Sequence, residues 1–499
     1  MKSTRIIAMA LLAFMLLSML ISCGGNSSNT GDGGTVTLPQ GDEVPTLPTE
    51  GFNDAEFTIL VSGHEIITNN AFNDFAFEET NPDELDAQIK KRNLQVEKLL
   101  GVKIKTVEDF KSAPEAKKLI EMNHMSGDNL YDAVLPIAYD VSKLAYDNKL
   151  SDLNTLSQYL DLSHSWWDQK ANEDLELNNI MFYTTGNFAV WANEVTSCVA
   201  FNKTLANDWL SEDGTGASNI YTLASEGKWT YDELIKAAKI CHSDDGSTTP
   251  SIGDTFGLIT WDDAIYSVVN SIGTRCCTIN DQGKIELTLY NESTSKIIKD
   301  YIELCKISDT VVNFSNTPLG DDEDVILKTF GDNKALFLMI MFKNLAKFRD
   351  LDVKFGIIPY PKFDAEQDRY YSTIAPWHVN YLAVPAKIAN ADMSGAVLEA
   401  LCYYSTDTVR EAYYDKTLNG KIVQDEESAP MLDIIFSSRI FDVGYYYQPN
   451  NINKVLITKI ARPLSTDFAS VYEEKKDGAI TQVNNINKFF EETFKAMGK

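Results

Sequence analysis

Residues 188–205 read FAVWANEVTSCVAFNKTL. Phe188, Val190, Val195, Val199 and Phe201 are strand formers, so the stretch reads as extended chain. Trp191, Asn193 and Glu194 place large and polar groups in an otherwise core-like run. The stretch stands between two regions that each alternate strand and helix signals. It is therefore expected to be the first crossing between two lobes, with part of a ligand site on its face.

Working back towards the N-terminus, residues 57–61 (FTILV) read as a buried strand, followed by the polar loop Ser62-Gly63-His64-Glu65. Asn81 as N-cap, Pro82 at the first helical position and Glu84 in a capping box predict a helix start. Leu85, Ile89, Val96, Leu99 and Leu100 share one helical face, and Gly101 ends the helix. Residues 102–107 alternate as a strand, 114–125 read as a helix and 131–136 as a third strand. This β-α-β-α-β order implies a parallel sheet covered by helices. Ligands bind beyond the carboxyl ends of such strands, which puts His64, Glu65, Pro136 and Tyr139 at a binding edge.

Working forwards, Thr230 and Glu233 form a second capping box, before a helix that buries Leu234, Ala237, Ala238 and Cys241. Residues 335–342 (ALFLMIMF) read as a buried strand, too short to span a membrane. Further strands are expected at 355–359 and 381–384, a helix at 393–404, and a mostly helical tail over 445–499. There is no internal repeat.

The chain of 499 residues is long enough for two or more domains. With 44% hydrophobic and 23% charged residues it has the composition of a folded protein. A net charge of −28 argues against a nucleic-acid partner, which selects basic surfaces. Lys2 and Arg5 followed by the apolar run 6–21 read as a signal peptide, too short for a transmembrane helix. Its end, Ser22-Cys23, resembles the lipobox of bacterial lipoproteins, in which the new N-terminal Cys carries lipid. An ordinary signal peptide is the alternative. Residues 24–51, rich in Gly, Ser, Thr and Pro, read as a flexible tether.

Six further cysteines (Cys198, Cys241, Cys276, Cys277, Cys305 and Cys402) show no paired spacing, so no zinc site is expected. Buried free thiols and disulfides both stay open. The acidic run 321–324 lacks the spacing of a calcium loop and reads as a solvated loop. No metal and no cofactor are expected, and no catalytic motif such as GxSxG or HExxH occurs.

Several of these segments together resemble the extracellular solute-binding proteins of bacterial ABC importers, in the maltose and oligosaccharide-receptor branch. They are Cys23, the strand and loop over 57–65, Leu99-Leu100-Gly101-Val102-Lys103-Ile104 and Tyr131-Asp132-Ala133-Val134. Phe201-Asn202-Lys203, Gly227-Lys228-Trp229-Thr230 and Phe355-Gly356-Ile357-Ile358-Pro359-Tyr360-Pro361 follow in the family's order. Where that family often has a Trp at a strand end, this chain has Met341-Phe342, and the part after about Tyr404 matches loosely. The resemblance implies a two-lobe α/β fold of the periplasmic-binding-protein type (type II), with a ligand cleft between lobes that close as a hinge. It implies crossings around 188–202, between 359 and 381, and after about 421. The domain organisation expected is 1–22 signal peptide, 23–54 lipidated Cys and linker, 55–187 plus about 378–425 for lobe 1, and 188–377 plus about 426–499 for lobe 2. It also implies a monomer tethered to the outer face of a Gram-positive cell membrane, with a carbohydrate ligand and permease subunits as partners.

Sugars are recognised by aromatic faces and by planar polar groups that bond hydroxyls. The candidate ligand-binding residues are therefore His64, Glu65, Tyr139, Trp191, Glu194, Trp261, Asp262, Phe342, Trp377 and His378. Each Trp has a core role as its alternative; Trp229 reads as a packing residue, and the Trp166-Trp167 pair as helix packing, with a reach of one of the two into the cleft as the alternative. Two other functions stay open: a surface glycoside hydrolase or lyase, in which Glu65 and Asp262 could serve as a carboxylate pair, and a sensor or adhesion lipoprotein of the same fold.

Overall fold

The computed structural model describes residues 43–62, 74–107, 113–247, 250–308, 310–316, 322–414 and 425–498. The signal segment, Cys23, His64 and Glu65 lie outside the described residues. In the first region lie β1 (Ala55–Val61), β2 (Val102–Val107), β3 (Ala133–Leu135) and β4 (Tyr183–Thr184). The second holds β5 (Ser197–Asn202), β6 (Phe256–Thr260), β7 (Cys277–Ile279), β8 (Ile285–Leu287), β9 (Val311–Asn313), β10 (Ala335–Met341) and β11 (Phe355–Ile358). Then come β12 (Ser372–Thr373), β13 (Leu382–Ala383) and β14 (Arg439–Ile440).

Two five-stranded sheets form the two lobes, in the orders β2-β1-β3-β13-β4 and β11-β5-β10-β6-β9. β1, β2 and β3 run parallel, as expected of strands joined by helices. β13 enters antiparallel between β3 and β4, from chain about 200 residues downstream of β4. The helix Glu84–Leu100 begins two residues later than the sequence reading placed it. Its N-cap is Asp83, whose carboxylate and that of Asp86 each accept the other's backbone N–H at 3.0 Å. Two short carboxylates close that reciprocal box, so Asn81 and Pro82 stay in the turn before it. Gly101 ends the helix at φ 59°, a left-handed turn that suits a residue without Cβ.

In the second lobe, β5 is buried at every residue and lies between β10 and β11. Gly356 in β11 is dictated by its neighbour strand: an added Cβ would come within 2.4 Å of the Phe201 ring and 2.1 Å of the Tyr221 hydroxyl. Burying side chains such as Phe201, Leu338 and Ile357 stabilises the sheet by roughly 2 kcal/mol each.

The stretch that opened the sequence reading is not continuously extended. Val190–Glu194 is a short helix, β5 follows, and Asn202 caps the helix Lys203–Trp209 by accepting the Leu205 N–H at 3.0 Å. The helical turn is held by one tertiary bond, the Trp191 backbone N–H donating to Asp74 at 3.1 Å, and by its own closing bond, in which Val195 donates to the Trp191 carbonyl at 3.0 Å. Strand propensity is overridden there.

Three passages of chain lie side by side between the lobes. Thr196 bridges Ile374, Ala375 donates to the Val195 carbonyl at 3.0 Å, and β12 pairs in parallel with β14. Arg439 of β14 ties this ribbon to its surroundings by donating to Asn193 at 2.6 Å and Asp168 at 2.5 Å. Beyond it, the helix Ala391–Ser405 packs on Glu84–Leu100, and Ser428–Ser437 packs on β11. The tail helix Phe468–Ala496 packs on β8, while its Phe489 and Phe490 rings meet Tyr146 and Phe182 at 4.9 and 5.6 Å. The tail, assigned to the second lobe on sequence, therefore touches both. All six cysteines of the described residues are free and buried. No helix of the described residues is long and apolar enough to cross a membrane.

Candidate functional site

A cavity of about 200 Å³ lies at the carboxyl ends of β6 and β10, against the second crossing. β6 leads into Trp261, Asp263 and Ala264; β10 leads into Lys343 and Asn344. Tyr360 follows β11, and Trp377 and His378 come from the crossing itself. The placement follows from topology: β6 and β10 run parallel, so their carboxyl ends share one edge. Strand interiors are filled by core side chains, and the first polar residues after each strand are the ones left to face a ligand.

Trp261 and Trp377 are both half-buried, so each keeps part of its face open to the cavity. Behind Trp377 stands an aromatic wall. Tyr266 meets Trp377 at 5.5 Å between ring centroids and stacks on Tyr445 at 4.4 Å. Ser267 donates to Ser197 at 3.0 Å, which fixes two small polar groups in the floor.

The charged groups around the cavity are not closed into ion pairs with one another. Burial raises Asp263 to about 7, and the charge of Asp262 adds to it; Arg462 and Lys343 oppose the rise. Glu194 is likewise raised to about 7 by burial, against the neighbouring Tyr413 hydroxyl and the charge of Lys343. Burial lowers the Lys343 ammonium, while Glu323, Glu194 and Asp263 push it back up. Glu323 is the exception, since it accepts from the Asn344 amide and from Lys347. The acidic run read as a solvated loop is here a helix start. Asp322 caps the helix Glu323–Gly331, and Glu323 lines the cavity; Asp321 lies outside the described residues.

Of the residues singled out on sequence, Trp261, Trp377 and His378 line the cavity. Asp262 lies beside it, 7% exposed and paired with Arg462. Glu194 acts on the cavity through the field at Lys343. Tyr139 is half-buried at the start of the helix Ala138–Tyr146; burial raises its hydroxyl, a bond with Gln448 opposes this, and the charge of Asp263 adds to it. Trp191 is 4% exposed and donates its indole N–H to the His378 carbonyl at 2.8 Å, so it holds the Trp377–His378 turn from behind. Phe342 is fully buried against Phe436 at 4.8 Å, while its neighbours Met341 and Lys343 line the cavity. Trp229 and the Trp166-Trp167 pair are buried, and the latter two indoles both donate to Glu399, at 3.1 and 2.9 Å.

Asp263, Lys343, Asn344 and Tyr360 were not singled out on sequence. The signal that finds them is the one applied to the first lobe alone: polar residues that directly follow a buried parallel strand.

No protein-family model and no curated protein matches the chain. The fold is similar to that of a cyclo/maltodextrin-binding protein solved with maltotetraose (TM-score 0.53, 12% identity, covering 90% of this chain and 100% of the other). It is also similar to the maltodextrin-binding domain MalE of Bdellovibrio bacteriovorus bound to maltotriose (TM-score 0.50, 12% identity, covering 86% and 100%). The GacH receptor of Streptomyces glaucescens, solved unliganded and with acarbose, matches at TM-score 0.50 and 14% identity, covering 88% and 99%. The two-lobe binding-protein fold expected on sequence is thus the fold observed.

Proposed function

We propose that the protein captures an oligosaccharide between its two lobes and delivers it to an ABC importer, without chemistry on the ligand. The observation that carries the reading is the cavity beside the hinge. Two half-buried Trp side chains supply faces for the C–H patches of sugar rings, and Asp263, Lys343, Asn344 and His378 supply hydrogen-bonding groups. The maltodextrins and acarbose held by proteins of this fold make α-linked glucose oligomers the first ligands to try. Binding would favour a closed arrangement of the lobes, and the importer would recognise that arrangement. Lipid on Cys23 would hold the protein, as a monomer, at the outer face of a Gram-positive cell membrane.

The test is a thermal-shift screen of the full chain against a glycan panel, with reducing ends assayed in parallel. A raised melting temperature without new reducing ends is expected. Steady release of reducing ends would replace the receptor reading with a glycoside hydrolase. For the anchor, Cys23→Ala is expected to move the protein from the membrane to the soluble fraction.

A further inference from the structure

The Trp377–His378 turn is fixed at both ends and in between. Before it, Ala375 donates to the Val195 carbonyl at 3.0 Å. After it, the Val379 carbonyl accepts from Ala138 at 2.9 Å, and the Asn380 amide donates to the Leu135 carbonyl at 2.9 Å. In between, the His378 carbonyl accepts the Trp191 indole N–H at 2.8 Å. Where that indole reaches depends on where the helical turn Val190–Glu194 sits, and Asp74 holds that turn from the side through the Trp191 backbone N–H at 3.1 Å. Asp74 is itself immobilised at 3% exposure. Its carbonyl accepts from Arg92 at 2.8 Å, the Phe75 carbonyl accepts from the Asn93 amide at 2.8 Å, and the Phe75 ring stacks on Phe188 at 5.2 Å. A run of directed bonds therefore leads from the core helix Glu84–Leu100 through Asp74 and Trp191 to the edge of the cavity, across two of the crossings.

On the receptor reading above, we propose that Asp74 is a positioning residue for the ligand: without lining the cavity, it sets the Trp377–His378 turn through Trp191. The role needs an acceptor oxygen at one place and does not need a charge. Arg92, the cation beside Asp74, already donates to three uncharged acceptors: the Asp74 carbonyl, Asn93 and Ser405. The carboxylate is therefore not required to hold the guanidinium. Its charge is also disfavoured where it stands: burial raises the acid to about 7, against the Trp191 N–H and Arg92, and the charge of Glu194 adds to the rise. An uncharged acceptor of the same length serves equally well. An acceptor displaced by one methylene does not, because groups that contact a ligand must be held within about 0.5 Å of their productive place. Once the Val190–Glu194 turn loses its outside support, the indole and the His378 carbonyl drift together.

The experiment uses the full chain with two opposed variants. Asp74→Asn removes the charge and keeps the acceptor in place; Asp74→Glu keeps the charge beside Arg92 and displaces the acceptor. Two readouts are taken: hydrogen exchange of the His378 and Val379 amides in the empty protein, which both donate to the Ala375 carbonyl, and calorimetry with maltotriose. Asp74→Asn is expected to match the wild type within twofold in both. Asp74→Glu is expected to exchange faster and to bind maltotriose about fivefold more weakly, the weight of one hydrogen bond. In a Trp191→Phe background, which lacks the bond to His378, Asp74→Glu is expected to cost less than a further twofold, because both changes cut the same run of bonds. The reverse order, with Asp74→Glu like the wild type and Asp74→Asn impaired, overturns the proposal and makes Asp74 a charge partner of Arg92. A lowered melting temperature with exchange and affinity unchanged overturns it in favour of a purely structural role. A full fivefold loss on top of Trp191→Phe overturns the route through Trp191. A wild type that does not bind maltotriose counts against the receptor reading, and the exchange rates of the empty protein then decide the role of Asp74 by themselves.

Discussion

Replacing Trp191 separates a cleft residue from a residue that holds the cleft. The indole is 4% exposed, and it joins the first crossing to the second through the bond to the His378 carbonyl at 2.8 Å. A buried Trp removes about 200 Å² from water, worth about 5 kcal/mol at about 25 cal/mol per Å². Ala keeps a small part of that and leaves a cavity, so Trp191→Ala is expected to cost about 3–5 kcal/mol of stability. Trp191→Phe keeps most of the apolar area and loses the hydrogen bond, for about 1 kcal/mol. Urea unfolding followed by far-ultraviolet circular dichroism gives the midpoints without relying on Trp fluorescence. The order of midpoints should be wild type, then Phe, then Ala, with a wide gap before Ala. Sugar affinity of the folded Phe variant should fall only severalfold, because the Trp377–His378 turn is loosened and not removed. A Trp191→Ala protein with the wild-type midpoint and no sugar binding would refute the reasoning. It would mean that the indole faces the ligand.

Three further outcomes are expected. Trp261→Ala and Trp377→Ala should each weaken glycan binding by about tenfold in calorimetry, with a smaller fall in the melting temperature of the empty protein than Trp191→Ala causes, since both rings are partly exposed. Asp74, Glu194 and Asp263 are each raised from the ordinary carboxylate range to about 7, in every case chiefly by burial, with Arg92, Lys343 and Arg462 as the facing cations that oppose it. Between about pH 4 and 7 the native state therefore holds more protons than the unfolded chain, so the stability these groups contribute is full below that window and lost as pH rises through about 7. Melting temperature should fall from pH 5 to pH 8, and combining Asp74→Asn, Glu194→Gln and Asp263→Asn should flatten that fall; a slope of opposite sign, or one unchanged by the triple variant, sinks the assignment. Glu399→Ala should cost about 3 kcal/mol or more in unfolding experiments, because the buried indole N–H groups of Trp166 and Trp167 lose their acceptor, while the folded fraction keeps its sugar affinity.

The parts of this fold that were legible in the sequence are those fixed by local chemistry. Gly101 marked a helix end, Thr230 a helix start and residues 335–341 a buried strand, because a left-handed turn, a capping hydroxyl and an unbroken apolar run each carry their own signal. What was not legible depends on contacts far along the chain. Trp191 and Trp377 are the same residue type in two adjoining crossings, yet one is buried and the other partly exposed. The difference is set by the helical turn Val190–Glu194, which exists because Asp74, more than a hundred residues earlier, accepts the Trp191 backbone N–H. The same limit explains Phe342 and Lys343. In a strand, successive side chains point to opposite faces, so the end of an apolar run fixes where the core stops but not which of the next residues turns to the ligand. β10 gives way to a short helix at Phe342, and that turn sends Phe342 into the core against Phe436 and leaves Lys343 on the cavity. A search for sugar-stacking aromatics selects Phe342 at this position. The polar group that reaches the cavity here is Lys343. Its place on the cavity follows from the direction of that turn, which rests on the packing of Phe342 against Phe436 and not on the local sequence.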